Sequence, residues 1–117
     1  MVLDTVTTMS NLTEKKCVPC EGGAKPLTQE EAAVLHADIP SWTVSDDVRS
    51  IQKTFVLTTF VEVIAFVNKI ADLAEEEGHH PDLFIHDYKK LTITLSTHAI
   101  GGLSVNDFIV AAKIDTL

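Results

Sequence analysis

Positive charge is scarce in this chain. Nine Lys and Arg stand against 17 Asp and Glu among 117 residues, a formal net charge of -8. A surface of that sign repels phosphate backbones, and no cluster of Lys and Arg offsets it, which argues against direct binding to nucleic acid. An anionic membrane surface is disfavoured for the same reason. Long apolar runs are lacking too, and none approaches the roughly 20 residues of a membrane helix. Residues Met1 to Asn11 mix Asp4 and several Thr with short aliphatics, so no secretory signal is expected. Cysteine is limited to Cys17 and Cys20, too few for a disulfide framework. A reducing, cytoplasmic setting is the simplest expectation.

What is present is ordinary for a globular protein: 45% of residues are hydrophobic, and the length suits one domain. Residues 1–26 show scattered apolar positions without a period, punctuated by Pro19, Gly22, Gly23 and Pro26. They read as a flexible or loosely docked N-terminal arm, with the compact domain spanning residues 27–117.

Three helix starts are expected. Thr28 with Glu31 fits a capping box, in which hydroxyl and carboxylate satisfy the free amides of a first turn. That helix is predicted to run to about Ala37, before Pro40. Thr59 with Glu62 repeats the pattern ahead of the longest helix. Its apolar face is predicted from Phe60, Val63, Ile64, Val67, Ile70, Ala71 and Ala74, and Gly78 supplies its end. Ser104 with Asp107 opens a C-terminal helix carrying Phe108, Ala111 and Ala112 along one side. Between these lie strand-like stretches. Trp42–Ser45 and Ile51–Leu57 flank Asp46 and Asp47 as a hairpin, and Leu83–Tyr88 and Leu91–Thr97 pair around Lys89 and Lys90. Leu91, Ile93 and Leu95 alternate with Thr92, Thr94 and Ser96, giving one apolar and one polar face that ends at His98. The predicted fold is α+β: a four-stranded antiparallel sheet with three helices packed on one face.

The run Glu75-Glu76-Glu77-Gly78-His79-His80-Pro81 carries the chemistry. Three carboxylates sit at a helix C-terminus, where the macrodipole disfavours negative charge. A solvated charge run would explain them alone; the adjacent histidine pair favours a functional site. Pro81 biases His80 toward extended backbone and gives the pair a defined exit from the helix. A neighbouring carboxylate would hold an imidazole in one orientation. His98 is the third member, at the end of the last strand. Imidazole gives or takes a proton near neutral pH, which suits general acid–base work. Asp107 also fits a plain helix cap, and Phe84 and Tyr88 read as core or interface. His36 and His86 are given no catalytic role.

The spacing of these residues is specific. Glu75, three residues, His79-His80-Pro81, six residues, Tyr88, nine residues, His98, eight residues and Asp107 resemble the signature of the pterin-4a-carbinolamine dehydratases. Leu95-Ser96-Thr97-His98, Gly101-Gly102-Leu103-Ser104 and Asp107 match the same family, and the likeness extends weakly back through Trp42 to Leu27. Where family members often carry Trp after His-His-Pro-acid, this chain has Leu83 and Phe84. The resemblance implies dehydration of a 4a-hydroxytetrahydropterin to the quinonoid dihydropterin, regenerating cofactor for an aromatic amino-acid hydroxylase. It implies His79 and His98 as the acid–base pair, with His80 positioning the substrate. Glu75 and Asp107 would support the histidines, with Pro81 among the supporting residues, and Ser96 and Thr97 would line the ring. Neither metal nor organic cofactor is implied. The expected partners are the pterin substrate and further copies of the chain, as homodimer or homotetramer. The hydroxylase, or another protein for which the chain acts as an assembly or dimerisation scaffold, is an alternative partner.

Cys17 and Cys20 have the spacing of half a zinc site or a redox pair. A structural zinc needs four ligands, and no second Cys-x-x-Cys exists. A thioredoxin-like pair would open a helix after a strand rather than sit in an irregular arm. Two free thiols remain the simpler reading.

Overall fold

The computed structural model describes residues 11–19 and 24–117. A single helical turn, α1 (Asn11–Glu14), precedes α2 (Gln29–His36), β1 (Thr43–Val44), β2 (Ile51–Val56) and α3 (Phe60–Glu77). The chain continues through β3 (Asp82–His86), β4 (Lys90–Leu95), a 3-10 turn at His98–Ile100 and α4 (Val105–Ile114). The strands form one antiparallel sheet in the order β1-β2-β4-β3. This is the expected α+β architecture. No helix among the described residues is long and apolar enough to cross a membrane.

The alternation along β4 decides which way the sheet faces. Leu91, Ile93 and Leu95 are completely buried in the core that the helices cover. Thr92 and Thr94 point the other way and bond across to β2, Thr92 to the Thr54 hydroxyl at 2.8 Å and Thr94 to Gln52 at 3.1 Å. Period-two patterning therefore fixes the register, since a one-residue slip would turn the whole apolar set outward. Trp42 closes one side of the core, edge-on to Phe55, with its indole N–H donating to Asp115 at 3.0 Å. The β1 strand is shorter than its sequence stretch because Trp42 lies in a bend and Ser45, whose amide donates to the Ser50 carbonyl at 2.9 Å, closes the turn. The Ser45 hydroxyl accepts the amides of Arg49 and Ser50 and organises the turn. His36 sits in the last turn of α2 as expected, but its ring also reaches the Trp42 carbonyl at 2.5 Å.

Three elements depart from the expected packing. On α3, Val63, Ile70 and Ala74 are buried, and Phe66, Val67 and Leu73 pack beside them. Phe60, Ile64 and Ala71, assigned to the same face from their spacing, are exposed. The helix is apolar around more than one face, and periodicity alone does not say which arc meets the sheet. On α4, burial is not confined to one side: residues 106–112 and Ile114 are all buried. This helix is central because α1, α2 and α3 all contact it. Phe84 and Tyr88 are each 63% exposed, so neither belongs to the core. Tyr88 lies in the β3–β4 turn with φ of 50°, not in a strand.

Of the stretch read as an arm, residues 11–19 lie against the helices. Leu12 is 3% exposed within the core, and Cys17 packs against it. Residues 1–10 and 20–23 are outside the described residues, and with them the second thiol of the Cys17–Cys20 pair.

Candidate active site

The site is built from three chain ends: the end of α3, the end of β4 and the start of α4. Gly78 stops α3 in the left-handed conformation, φ 67°, a backbone that a side-chain-bearing residue adopts only with strain. The chain then swings back, and His79 donates its amide to the Ala74 carbonyl at 3.2 Å. Beyond β4, the Thr97–Gly102 bridge folds His98 into the 3-10 turn. Gly102 is pressed on Pro26, so that a Cβ there would meet the proline at 2.7 Å. Only glycine fits without displacing that wall.

These ends surround a cavity of about 580 Å³. Glu75, His79, His80, Ser96, Thr97 and His98, all singled out from the sequence, line it. Asp107 does not. It lies behind His79, with no exposed surface, and acts through its contacts. Pro81 is not among the lining residues and instead leads into β3.

Asp107 is the hub of this arrangement. Its Oδ1 accepts from His79 Nε2 at 2.6 Å. Its Oδ2 accepts from the Thr97 hydroxyl at 2.8 Å and from the Ser104 amide at 3.0 Å. The capping role and the histidine contact therefore coexist in one carboxylate. Because Thr97 gives its only hydroxyl proton to Asp107, the 2.8 Å contact between Thr97 and Ser104 runs from the serine hydroxyl to Thr97. The same logic gives the tautomer of a neutral His79 ring: Nε2 carries the proton shared with Asp107, and Nδ1 is the unprotonated nitrogen. His80 is held differently. Its Nε2 meets Glu75 at 2.6 Å, but both side chains are more than half exposed, so water competes for that contact. His98 also lines the cavity and is exposed. Among the described residues, no three His, Cys, Asp or Glu side chains converge as metal ligands. His86 faces away, stacked on Phe84 and bonded to Thr92.

Of the three carboxylates ending α3, Glu75 serves His80 and Glu76 is exposed, while Glu77 is buried. Glu77 receives Lys113 Nζ at 2.5 Å and the Cys17 amide at 2.9 Å. Burial opposes its charge, but the Lys113 and Cys17 hydrogen bonds, with the charges of Lys113 and Lys16, hold its carboxyl below the ordinary range. Cys17 feels the opposite: burial first, then the Glu77 charge, pushes its thiol up to about 12, so it stays protonated at neutral pH. A lowered folded-state pKa means that Glu77 contributes stability above the ordinary carboxylate range and loses it as pH falls through the folded value. Glu77→Gln should therefore cost roughly 3 kcal/mol at neutral pH. Denaturant midpoints taken downward in pH should also fall less steeply for the variant. Parallel pH curves for variant and parent would contradict the role given to Glu77.

Cys17, Val18, Pro19, Gly78 and Asn106 also line the cavity, and none was singled out as a site residue from sequence. Asn106 sits beside Asp107, but its contact with Val18 spans 88 positions and leaves no local pattern.

Comparison with known proteins identifies relatives of the chain. The family model described as pterin 4 alpha carbinolamine dehydratase matches residues 25–117. A protein of Dechloromonas aromatica named "Putative pterin-4-alpha-carbinolamine dehydratase" is 46% identical over 112 residues, covering 96% of this chain and 97% of its own. A crystal structure from Brucella melitensis, titled as a transcriptional coactivator/pterin dehydratase, superposes with a TM-score of 0.72 at 27% identity. It covers 79% of this chain and 97% of that one. A pterin dehydratase-like protein identified as a RuBisCO assembly factor of the alpha-carboxysome matches at a TM-score of 0.55 and 25% identity, over 65% of this chain and 87% of that one. With the matched model spanning the sheet, the three longer helices and every histidine of the cavity, this chain belongs to the pterin-4-alpha-carbinolamine dehydratase family.

Proposed function

We propose that this protein dehydrates a 4a-hydroxytetrahydropterin to the quinonoid dihydropterin by histidine acid–base catalysis. The observation that carries the reading is His79, locked by buried Asp107 in one tautomer, at the edge of a cavity that also bears His98. The reaction removes the N5 proton, forms the C4a=N5 double bond with the freed electron pair and breaks the C4a–O bond. The departing oxygen takes a proton and leaves as water. One group must accept a proton and another must give one, and both transfers lie within reach of imidazole near neutral pH. His79 and His98 fill these roles, His80 positions the pterin with Glu75 behind it, and Ser96 and Thr97 line the ring. The product feeds tetrahydropterin recycling for an aromatic amino-acid hydroxylase in the cytoplasm.

A protein-binding role is the second reading. Val56, Phe60, Val61 and Ile64, at the end of β2 and the start of α3, are exposed apolar side chains away from the cavity. A structural neighbour titled as a RuBisCO assembly factor gives a protein-binding role a precedent. Self-association as a dimer or tetramer would cover that surface. The deciding test follows 4a-hydroxytetrahydropterin, generated freshly, by its ultraviolet absorbance. Acceleration by the folded protein supports the dehydratase. No acceleration sinks that reading and favours a relative kept for binding.

A further inference from the structure

The acid–base scheme leaves residues 17–19 without a task, yet they line the same cavity as the three histidines. They are not loosely draped there. The Cys17 amide donates to Glu77 Oε1 at 2.9 Å, at the end of α3. The Val18 amide donates to Asn106 Oδ1 at 3.1 Å, and Asn106 Nδ2 returns a bond to the Val18 carbonyl at 2.6 Å. A carboxamide that takes the N–H and the C=O of one residue fixes that peptide in position and in rotation, much as a neighbouring strand would. Glu77 and Asn106 are 6% and 5% exposed, so these bonds form in a place largely closed to solvent, where a polar group left unpaired is costly. Both anchors are adjacent to the proton-handling machinery: Asn106 precedes Asp107, and Glu77 lies two residues before His79. Val18, 64% exposed, and Pro19 are meanwhile apolar groups offered outward, beyond what the core requires.

We propose that residues 17–19 form a fixed strap that walls the substrate cavity, with Val18 and Pro19 making apolar contact with the pterin and Asn106 acting as the positioning residue that holds the strap. The proposal rests on the dehydratase reading and deepens it. Such a wall holds ground state and transition state alike, so its loss acts on KM and leaves kcat in place.

The test uses the full-length chain, steady-state dehydration kinetics and equilibrium titration of 7,8-dihydrobiopterin as a stable pterin probe. Val18→Asp changes an exposed position, so folding is retained, and it puts a charge on the wall. KM and the probe's Kd should each rise about tenfold with kcat within about twofold, and Val18→Leu, which keeps the wall apolar, should raise them far less. Asn106→Asp, checked for folding by its thermal transition, removes the donor to the Val18 carbonyl and should raise KM in the same way. If KM and Kd stay at parent values in folded Val18→Asp and Asn106→Asp, the strap is no part of the site. A fall in kcat at constant KM would overturn the strap as well. A parent chain that binds the probe but does not turn over the substrate sinks the dehydratase reading, while the Kd comparison still decides the strap. A parent chain that binds no pterin ends both.

Discussion

Replacing His79 and His98 together by alanine is expected to lower turnover by about 10² to 10⁴-fold in a protein that still folds. The two positions differ in what they risk. His98 is exposed, so its truncation removes little packing. The His79 side chain is 12% exposed and its Nε2 proton satisfies Asp107, so its loss strands one buried carboxylate oxygen. That costs about 1–3 kcal/mol, which a folded domain tolerates and a denaturant curve detects. Because acid and base serve one bond rearrangement, each single variant should already lose most of the rate, and the double should fall well short of the product of the singles. A double variant with half the parent turnover would place the chemistry elsewhere.

Asp107 separates structural from chemical effects through two substitutions. Asp107→Ala leaves the His79 ring, the Thr97 hydroxyl and the Ser104 amide without an acceptor in a completely buried place. A loss of about 3–5 kcal/mol is expected, with activity falling as the histidine loosens. Asp107→Asn keeps one acceptor oxygen, and the two donors at the Oδ2 position claim it. Its amide group then faces His79 as a donor. Nε2 must become an acceptor, and the proton moves to Nδ1, the nitrogen that the proposed chemistry leaves for the substrate. The cap survives while the tautomer inverts, so stability should stay close to the parent and kcat should fall at least about 10²-fold. Denaturant midpoints and kcat measured on the same samples check both halves. A fully active Asp107→Asn chain would remove Asp107 from the chemistry.

Local chemistry was legible in the sequence, and long-range placement was not. Thr28 with Glu31 and Ser104 with Asp107 close the capping boxes that their spacing predicts. Thr59 caps α3 as well, although Glu62 reaches back to the Thr58 amide, one residue earlier than the box requires. The alternation along β4 and the stop at Gly78 likewise follow from a few adjacent residues. The apolar arc of α3 did not, because Phe60 and Ile64 satisfy the helical period as well as Val63 and Ile70 do. Burial on every side of α4 depends on α1, which comes from the far end of the chain. At the site, the family spacing brought Glu75, His79, His80, Ser96, Thr97 and His98 to one cavity. Pairing His79 with Asp107 and His80 with Glu75 needed three-dimensional contacts. So did the strap, whose bonds to Glu77 and Asn106 join residues 60 and 88 positions apart.

The seat of α1 against α4 also bears on how the chain is made. A ribosome releases Leu12 well before α4, so the apolar side chain of α1 has no seat until α4 has emerged. Asp107 arrives on that same helix, after the histidine it orients and the hydroxyl whose bond it accepts. Nascent chains stalled before α4 would hold the sheet strands and all three histidines yet lack the carboxylate that sets the ring. Closure of the core and the hydrogen bond that orients His79 are thus one late event.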